Sequence, residues 1–424
     1  MKIQLINHAC YVVDTGSIRI LCDPWLSGDI FDRGWRHLQD NNIDINDIDY
    51  DYIWVSHEHP DHFSPVDLAK IKGPKTFFYQ ETRDKKVKRW LESKGHTVIE
   101  MEDWKPFSLP DNSKLTVTKV SDDSWMSIQT EDKTMINLND CEITTSKQLE
   151  EIKSYLGNID VLMTQFSFAN WIGNNDDPEA NKQCRDNILK RVGLQTDELT
   201  PDYVIPFASF VKFAHRDNDW MNEWTVKLDE ACVLIKDRNS IPVPMYMNQT
   251  WEVDKELPED MSFLWYVKNN HHIKFWDRDI SFSEVLYEFE SYQKKIKKQN
   301  SWFSIRLLKW FGLLPSTSIY LEDNNIGIDF CIVNGIKPTR KHKDKCDMRM
   351  KTQTFINVLK YEWGRGTLTV NGRFHANYET MWRFFRQTKI AYANNVGKRV
   401  PLSLPLTELL YSYKPKWRTE NGNT

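Results

Sequence analysis

One histidine-rich stretch, SHEHPDHFS at residues 56–64, has the residue types that could do chemistry. Three of the 11 histidines in the chain lie here, together with one aspartate, in the order His57, His59, Asp61 and His62. Alternate residues of an extended segment share one face, so His57 and His59 can hold a metal ion through imidazole nitrogens. Asp61 and His62 can then turn toward a second metal ion. The stretch therefore predicts a metal site, with surface or helix-capping histidines as the alternative.

The elements around this stretch are predicted to hold it on a loop between a strand and a helix. The apolar run DYIWVS ends directly before His57. Ser64 and Pro65 form a helix start for the segment PVDLAKIK, because proline is tolerated at the first helical position. A loop between two such elements presents its ligands from a rigid scaffold.

Strand and helix patterns alternate through the first part of the chain. KIQLINHACYVV and SIRILCDPW predict a hairpin, TFFYQ and HTVIEM predict strands, and DKKVKRWLES and TTSKQLEEIKSYL predict helices. This mixture of hairpins and strand–helix alternation predicts two mixed sheets packed together, with helices outside them.

The bulk composition excludes some classes of protein. Charged residues make up 27% of the 424 residues and the net charge is −4, whereas nucleic-acid binding needs a basic surface. The N-terminal residues alternate like a strand and not like a signal peptide, and no apolar run reaches membrane-spanning length. The seven cysteines are an odd number without a paired motif, so we expect reduced thiols and a cytoplasmic protein that binds no nucleic acid.

The spacing H-x-H-x-D-H resembles the signature of the metallo-β-lactamase superfamily. This resemblance implies three further site residues, namely Asp23 in LCDPW, Asp140 in INLNDCE and His215 in KFAHRD. By the resemblance, Asp23 supports the metal loop, Asp140 bridges two metals, and His215 completes the second metal site with Asp61 and His62. The resemblance also implies the fold of that superfamily, an αββα sandwich of the α/β (α+β) class, which we predict over residues 1–260.

One ligand that the resemblance implies is absent. The family has a histidine between the clustered motif and the bridging aspartate, but the corresponding segment here, KVSDDSWMS, has none. Either Asp122 or Asp123 takes its place, or the first site keeps only His57, His59 and the shared Asp140. We therefore expect one tightly bound metal and one labile or carboxylate-bound metal. Zinc is the first expectation and iron or manganese the alternatives, because imidazole and carboxylate donors suit all three.

A closer resemblance links the chain to the CMP-N-acetylneuraminate hydroxylases, monooxygenases that convert N-acetyl to N-glycolyl neuraminic acid. It rests on DPWLSGDIFDRGWRHL, INLNDCE, VLMTQFSFANW and YVIPFASFVKFAHRD, and on the histidine-rich stretch itself. These hydroxylases carry a Rieske iron–sulfur domain, which needs Cys-x-His and Cys-x-x-His pairs. The sequence contains neither pair, so for an oxygenase we expect the electrons to come from a separate protein.

Metal-dependent hydrolysis is the first predicted function. A bound metal lowers the pKa of its water from 15.7 to about 7, and the resulting hydroxide can attack a phosphodiester, a lactone or a similar substrate such as a glycan precursor. In this prediction Asp61 and Asp140 are the catalytic aspartates, which bind metal and orient the nucleophile or accept its proton. The first alternative is iron-dependent oxygenation of a sugar nucleotide or related glycan precursor. The second alternative is a scaffold that has lost part of its metal.

Arg33 and Arg36 are the candidate substrate-binding residues. Both lie in the segment DRGWRHL, soon after Asp23. Their forked guanidinium groups could bind a phosphate or a carboxylate of the substrate. Solvated charge on a loop is the alternative explanation for both arginines.

The remaining chain predicts an α+β extension at 261–413 and a polar, frayed tail at 414–424. Within the extension, residues 294–314 join a basic run to an aromatic amphipathic stretch, KKIKKQNSWFSIRLLKWFGLL. This pattern more often belongs to a helix that packs its apolar side into a core, and peripheral contact with an anionic membrane is the alternative.

Overall fold

The computed structural model describes residues 1–267 and 278–401. The chain divides into two compact units, Met1–Lys274 and Phe275–Thr424. Every residue predicted for metal or substrate binding lies in the first unit. The predicted polar tail at 414–424 lies outside the described residues.

Short strands make up much of the first unit. In chain order they are β1 (Lys2–Asn7), β2 (Cys10–Asp14), β3 (Arg19–Cys22), β4 (Trp35–His37), β5 (Tyr52–Val55), β6 (Thr76–Gln80), β7 (Thr97–Met101), β8 (Phe107–Ser108), β9 (Lys114–Val120), β10 (Asp123–Gln129), β11 (Thr134–Asn137), β12 (Val161–Gln165), β13 (Tyr203–Phe207), β14 (Val211–Phe213), β15 (Ile241–Pro242) and β16 (Thr250–Glu252). Across the described part of this unit they build two seven-stranded sheets and one two-stranded ribbon.

Parallel strands in both sheets bring several strand ends to one edge. The first sheet has the order β16-β1-β2-β3-β5-β6-β7, and the second has the order β15-β13-β12-β11-β10-β9-β8. Strands β3, β5, β6 and β7 run parallel, as do β11, β12, β13 and β15. The carboxyl ends of parallel strands meet at the same edge of a sheet, which is where open sheets bind ligands. The loops after β3 and β5 are therefore neighbours, and Asn139 after β11 joins them through a hydrogen bond of 2.9 Å to Asp23.

Helices lie between these strands in the sequence. Those of the first unit are α1 (Pro65–Leu68), α2 (Lys86–Ser93), α3 (Ser146–Leu156), α4 (Pro178–Leu199) and α5 (Leu228–Lys236), and the 3₁₀ turns are Asp219–Glu223 and Ser262–Tyr266. Predicted helix starts agree with the caps of α1 and α3. The hydroxyl of Ser64 accepts from the backbone NH of Asp67 at 3.3 Å, and Thr145 accepts from Gln148 at 3.4 Å. Each cap satisfies a backbone NH that the first helical turn leaves unpaired.

One apolar core lies between the two sheets. Leu5 and Tyr11 of the first sheet are fully buried in the same cluster as Val117, Met126 and Ile136 of the second. Burying one such side chain stabilises the fold by about 1.5–3 kcal/mol, so the shared cluster holds the sheets face to face.

Helices cover the outer faces of both sheets. On β5, Trp54 points into the core between the sheets, whereas its neighbours Ile53 and Val55 point to the other face and pack with Leu68 of α1 and Leu91 of α2. This alternation is the two-residue period of a strand buried on both faces. Helices α4 and α5 contact β12 and β13 of the second sheet. The order of layers is helix, sheet, sheet, helix, which confirms the predicted αββα sandwich.

The longest helix of the first unit, α4, has no counterpart in the sequence prediction. Asp177 caps it, with its side chain accepting from the backbone NH of Ala180 at 3.1 Å. Its buried residues include the polar Asn181, Gln195 and Thr196. A helix that buries polar side chains lacks the apolar stripe by which amphipathic helices are predicted.

The second unit combines a small sheet with helices. Its described elements are α6 (Phe282–Gln299), α7 (Trp302–Trp310), β17 (Thr317–Leu321), β18 (Ile326–Cys331), β19 (Gly335–Pro338), β20 (Met348–Met350), α8 (Thr352–Lys360), α9 (Gly364–Asn371), β21 (His375–Ala376) and α10 (Trp382–Asn395), with a 3₁₀ turn at Lys343–Lys345. The strand order is β19-β18-β17-β20-β21. Helix α6 follows the predicted helical pattern of ISFSEVLYEFESYQKKIKKQ.

Residues 294–314 span the end of α6 and all of α7. Ile305 and Leu308 are buried, so this helix packs an apolar side into its own unit. Phe303 and Trp310 nevertheless lie at the surface of the unit, and membrane contact through them stays a prediction. Among the described residues, no helix combines the length and apolar character needed to cross a bilayer.

Candidate metal site

The histidine-rich loop follows β5 and leads into α1. The backbone NH groups of His62 and Phe63 both donate to the carbonyl of His59, at 3.0 and 2.7 Å. This tight turn directs Asp61 and His62 back into the protein, where both are buried. His57 is also buried, whereas His59 lies at the surface. The loop thus provides four potential ligands, of which three lie inside the unit and one, His59, lies at its surface.

His57, His59 and Asp123 form the first group of potential ligands, with one donor atom of each within 4.8 Å of the others. The Nε2 atom of His57 is 2.8 Å from Nδ1 of His59, and its Nδ1 atom is 2.9 Å from Oδ1 of Asp123. Burial would raise the pKa of Asp123, but the charge of the His57 ring lowers it to about 2. Asp122 is exposed and belongs to no such group among the described residues. Of the two predicted replacements, the structure therefore brings Asp123 to the histidines, and its ligand role stays a prediction.

Two further groups share His62. One consists of His57, His62 and Asp140, and the other of His8, Asp61 and His62. The Nε2 atom of His62 is 3.2 Å from Oδ2 of Asp61 and 3.4 Å from Oδ2 of Asp140. The Nε2 atom of His8 is 3.6 Å from the same oxygen of Asp61. The structure thus brings Asp61, His62 and Asp140 together, as the predicted second site requires.

His8 is a member that the sequence prediction missed. It lies on the turn between β1 and β2 and is buried, with only 2% of its surface exposed. The single hint in the sequence is a histidine at the end of a predicted strand, in KIQLINHACYVV. A lone histidine in that place has no partner within the local sequence, so only the folded chain shows what it faces.

His215 belongs to none of the three groups in the described part of the chain. It follows β14 and is buried, and its Nδ1 atom is 3.2 Å from Oδ2 of Asp217. Its backbone NH donates to the side-chain oxygen of Asn218 at 2.9 Å. The ligand role of His215 stays a prediction.

Asp23 is the centre of a buried hydrogen-bond network beneath the loop. Its carboxylate accepts from the backbone NH and the hydroxyl of Ser56, at 2.7 and 2.8 Å, and from the side chain of Asn139 at 2.9 Å. It is also 2.8 Å from Nδ1 of His62. Because a carboxylate only accepts here, Nδ1 must carry the proton, which leaves the lone pair of Nε2 facing Asp61 and Asp140.

Gln165 and Arg191 support Asp140 and were also missed. The side-chain NH₂ of Gln165, at the end of β12, donates to Oδ1 of Asp140 at 2.8 Å. Arg191 of α4 donates to the side-chain oxygen of Gln165 at 2.9 Å. Since β12 runs parallel to β11, Gln165 and Asp140 follow neighbouring strand ends. This relay holds one oxygen of Asp140 and leaves the other toward His62.

Opposite charges dominate the electrostatics of the cluster. Burial alone would lower the pKa of the His62 ring, but the carboxylates beside it, led by Asp61 and Asp140, raise it well above its usual value. Burial would raise the pKa of Asp61, but the charge of His62 holds it well below its usual value. The buried carboxylates therefore favour a positive charge between them, which a proton or a metal ion can supply.

The residues of this cluster fit a metal centre. Four of their buried atoms have no hydrogen-bond partner within the described chain: both ring nitrogens of His8, Oδ1 of Asp61 and Nε2 of His62. Leaving a buried polar atom without a hydrogen bond costs about 1–3 kcal/mol of stability. Four such atoms in one place therefore indicate a bound species. Imidazole nitrogens and carboxylate oxygens are ligands for zinc, iron and manganese. The cluster can hold one or two such ions.

The predicted substrate-binding arginines occupy a loop beside the cluster. Arg36 already uses its guanidinium fork on Asp29, with contacts of 3.1, 2.8 and 3.1 Å. Arg33 is exposed and, like Phe31 and Asp32 before it, has a left-handed backbone. The rings of Phe31 and His59 lie edge to face, with centroids 6.1 Å apart. The pairing of Arg36 does not favour its predicted role, and substrate binding by Arg33 stays a prediction.

His37, in the ribbon next to this loop, provides a pH-dependent test of the fold. Its ring stacks on Trp25 at 3.7 Å, and its Nε2 donates to the carbonyl of Trp25 at 3.1 Å. Burial lowers the pKa of His37 from 6.5 to about 3. Between these values the unfolded chain binds a proton that the folded chain does not, so the free energy of unfolding falls with falling pH. From pH 7 to 5 this histidine should contribute a loss of about 2 kcal/mol.

We expect His37→Gln to remove that part of the pH dependence. Urea denaturation of both proteins at pH 7 and pH 5, followed by tryptophan fluorescence, measures the difference. The exposed His342 is the control, because His342→Gln should leave the wild-type slope in place. Equal slopes for wild type and His37→Gln would contradict the prediction.

Part of the chain that carries this site is similar to known proteins. The family model described as a beta-lactamase superfamily domain matches residues 18–177. The cytidine monophosphate-N-acetylneuraminic acid hydroxylase of Danio rerio is 25% identical over 253 residues, which cover 54% of this chain and 42% of that protein. The chain thus spans less than half the length of the curated relatives it matches.

Solved structures of low sequence identity have partly similar folds. CmlA, a diiron beta-hydroxylase from Streptomyces venezuelae, is 13% identical with a TM-score of 0.43, over 59% of this chain and 53% of its own. Igni18, a metallo hydrolase from Ignicoccus hospitalis, is 15% identical with a TM-score of 0.40, over 59% of this chain and 99% of its own. The match to a beta-lactamase superfamily domain over residues 18–177 includes the whole histidine-rich loop, in agreement with the αββα fold of this unit.

Proposed function

We propose that the site holds iron and that the protein is an oxygenase which hydroxylates a small, glycan-precursor substrate. This reverses the order of the two enzymatic functions predicted from the sequence, where hydrolysis came first. The observation that carries the proposal is the carboxylate of Asp123 beside His57 and His59. The proposed activity rests on these residues and on the similarity to a hydroxylase. The chain covers under half of the length of that relative.

The donor types at the first group fit a non-haem iron site. Two imidazoles and one carboxylate, with other positions open, are the ligand set of many non-haem iron oxygenases. Catalytic zinc sites use three histidines or two histidines and a carboxylate, so this donor set is also compatible with zinc. With Asp123 in place of a third histidine, His57 and His59 gain a hard oxygen donor. The site is therefore better suited to iron than a site with three histidines.

The similarity to a hydroxylase supports the same assignment. The Danio rerio relative is named for the hydroxylation of a cytidine monophosphate-linked sugar acid. Such a reaction inserts one oxygen atom of O₂ into a C–H bond, while two electrons and two protons reduce the other oxygen atom to water. We propose that an electron donor outside these 424 residues supplies the electrons, because they contain no Cys-x-His pair for a Rieske cluster.

Iron would supply the activation of O₂, and the chain would supply its position and charge. Asp61, His62 and Asp140 converge from two loops, and Asp23 fixes the tautomer of His62. Gln165 restrains Asp140 by a hydrogen bond of 2.8 Å. These groups are held before any substrate arrives, which keeps the cost of organising the site low.

Metal-dependent hydrolysis is the second candidate. The observation that favours it is the group of His62, Asp61 and Asp140, which resembles a site for a metal-bound water as much as one for iron. A phosphodiester or a lactone would be the substrate class. Zinc at this group and at His57 would be the expected metal.

Metal competition separates the two candidates. Metal-free protein is given equal amounts of Fe(II) and Zn(II) without oxygen, and the bound metals are counted by element-specific mass spectrometry. We expect the ratio of bound Fe(II) to bound Zn(II) to be at least about tenfold lower in Asp123→His than in wild type, the effect of 1.4 kcal/mol. Asp122→His is the matched control, because that neighbouring side chain is exposed.

An activity assay completes the test. Iron-loaded protein receives a chemical reductant and CMP-N-acetylneuraminic acid as the first probe, and oxygen uptake and a hydroxylated product are measured. Zinc-loaded protein receives bis(p-nitrophenyl) phosphate. Zinc retention together with phosphodiester cleavage, and no oxygen uptake by the iron form, would replace the oxygenase by the hydrolase.

A further inference from the structure

We propose that His8 is a ligand of the second metal, together with Asp61 and His62. The inference rests on the proposed metal centre but not on the choice between iron and zinc. It assigns a role to a residue outside the histidine-rich loop, and it places that role on the turn between the first two strands.

The burial of His8 without partners is the first observation. Its ring has 2% of its surface exposed, and neither ring nitrogen has a hydrogen-bond partner in the described part of the chain. The indole rings of Trp25 and Trp35 lie edge to face with it, at centroid distances of 5.5 and 6.5 Å. An apolar side chain would fill this place at lower cost than an unpaired imidazole, unless a ligand binds the imidazole.

The distances to its neighbours are the second observation. Nε2 of His8 is 3.6 Å from Oδ2 of Asp61, which is too long for a good hydrogen bond. Nε2 of His62 is 3.2 Å from the same oxygen. Ligands that bind one metal at about 2.0–2.1 Å in a tetrahedron stand about 3.4 Å apart. Both distances match ligand edges, so one ion could bind all three atoms.

The backbone around His8 holds the ring in this direction. His8 has a left-handed φ of 44° at the turn between β1 and β2, a region in which histidine is enriched among non-glycine residues. Its carbonyl accepts from the backbone NH of Ala208 at 3.2 Å. This bond ties the turn of the first sheet to the end of β13 in the second sheet. The ring is therefore positioned by both sheets.

His8 also offers a replacement for His215 at the second site. Sequence resemblance implies His215 as the last ligand of the second site, but its Nδ1 atom faces Asp217 and it joins none of the ligand groups among the described residues. His8 offers an imidazole nitrogen to that site. The second metal would then be held by His8, Asp61 and His62.

Cobalt(II) as a spectroscopic probe tests the inference. The variants are His8→Gln and His215→Gln, with His96→Gln as the control, because His96 is a buried histidine that accepts from the backbone NH of Lys75 at the far ends of β6 and β7. We expect His8→Gln to weaken binding of the second cobalt ion by about 100-fold or more, measured by competition with a chelator. His215→Gln should weaken it less than tenfold, and His96→Gln should match wild type.

A gain-of-signal variant covers the case in which His8→Gln fails to fold. In His8→Cys, a thiolate-to-cobalt charge-transfer band should appear only if position 8 touches the metal. Wild-type binding of two cobalt ions, with no such band and an unchanged second affinity in His8→Gln, would overturn the role of His8 and leave the metal centre in place. If wild type binds no cobalt, zinc or iron at all, the proposed function falls together with this inference.

Discussion

Replacing His62 with alanine should remove the second metal and lower turnover by about 10³-fold or more. The Nε2 atom of His62 is the donor nearest to both Asp61 and Asp140, at 3.2 and 3.4 Å. Without it, the ion loses the imidazole that lies between the two carboxylates. A bound metal contributes several kcal/mol to the transition state, and each 1.36 kcal/mol is tenfold in rate.

Metal content measured by element-specific mass spectrometry, together with turnover, tests this prediction. Asp140→Ala should produce the same loss, because its carboxylate belongs to the ligand group of His57 and His62. His96→Ala is the control for removing a buried histidine from the same unit. Full metal retention in both His62→Ala and Asp140→Ala would show that the cluster is not the metal centre.

The sequence predicted the parts of this site that are local. His57, His59, Asp61 and His62 lie on one loop, so their shared position follows from spacing alone. The αββα fold followed from alternating strands and helices, because each element carries its own periodicity. No long-range information was needed for either result.

The choice between Asp122 and Asp123 was beyond the sequence for a geometric reason. These neighbours lie at a hairpin, where Asp123 is the first residue of β10 and pairs with Val120. Ser121, with a left-handed backbone, and Asp122 form the turn between the strands. A shift of the turn by one residue would have exchanged the directions of the two side chains. Local patterns do not set that register.

Contacts between distant segments could not be predicted either. His8 and Gln165 reach the site because their strands lie at particular places in the sheet order, and many sheet orders are compatible with the same strand patterns. Helix α4 was not predicted for a different reason. It buries Gln195 and Thr196 at positions where an amphipathic helix would bury leucine. In each case tertiary packing, not local propensity, decides the outcome.

Replacing Asp23 with alanine should destabilise the first unit by about 3–5 kcal/mol, the cost of removing one partner from a buried charged network. Ser56, His62 and Asn139 would keep buried hydrogen-bond donors without their common acceptor. Because Asp23 also sets the tautomer of His62, metal affinity should fall about 10–100-fold in the molecules that remain folded. Urea denaturation of metal-free protein isolates the first effect, and chelator competition at low urea isolates the second.

The surface aspartate Asp49 provides the control for this prediction. It pairs with Arg19, but its side chain is 81% exposed, and exposed ion pairs contribute at most about 1 kcal/mol. Asp49→Ala should therefore change neither metal affinity nor stability by a comparable amount. If Asp23→Ala lost stability but kept wild-type metal affinity, Asp23 would brace the loop without orienting His62. If it lost affinity alone, the loop would keep its shape without this carboxylate, and orientation of the imidazole would be its main contribution.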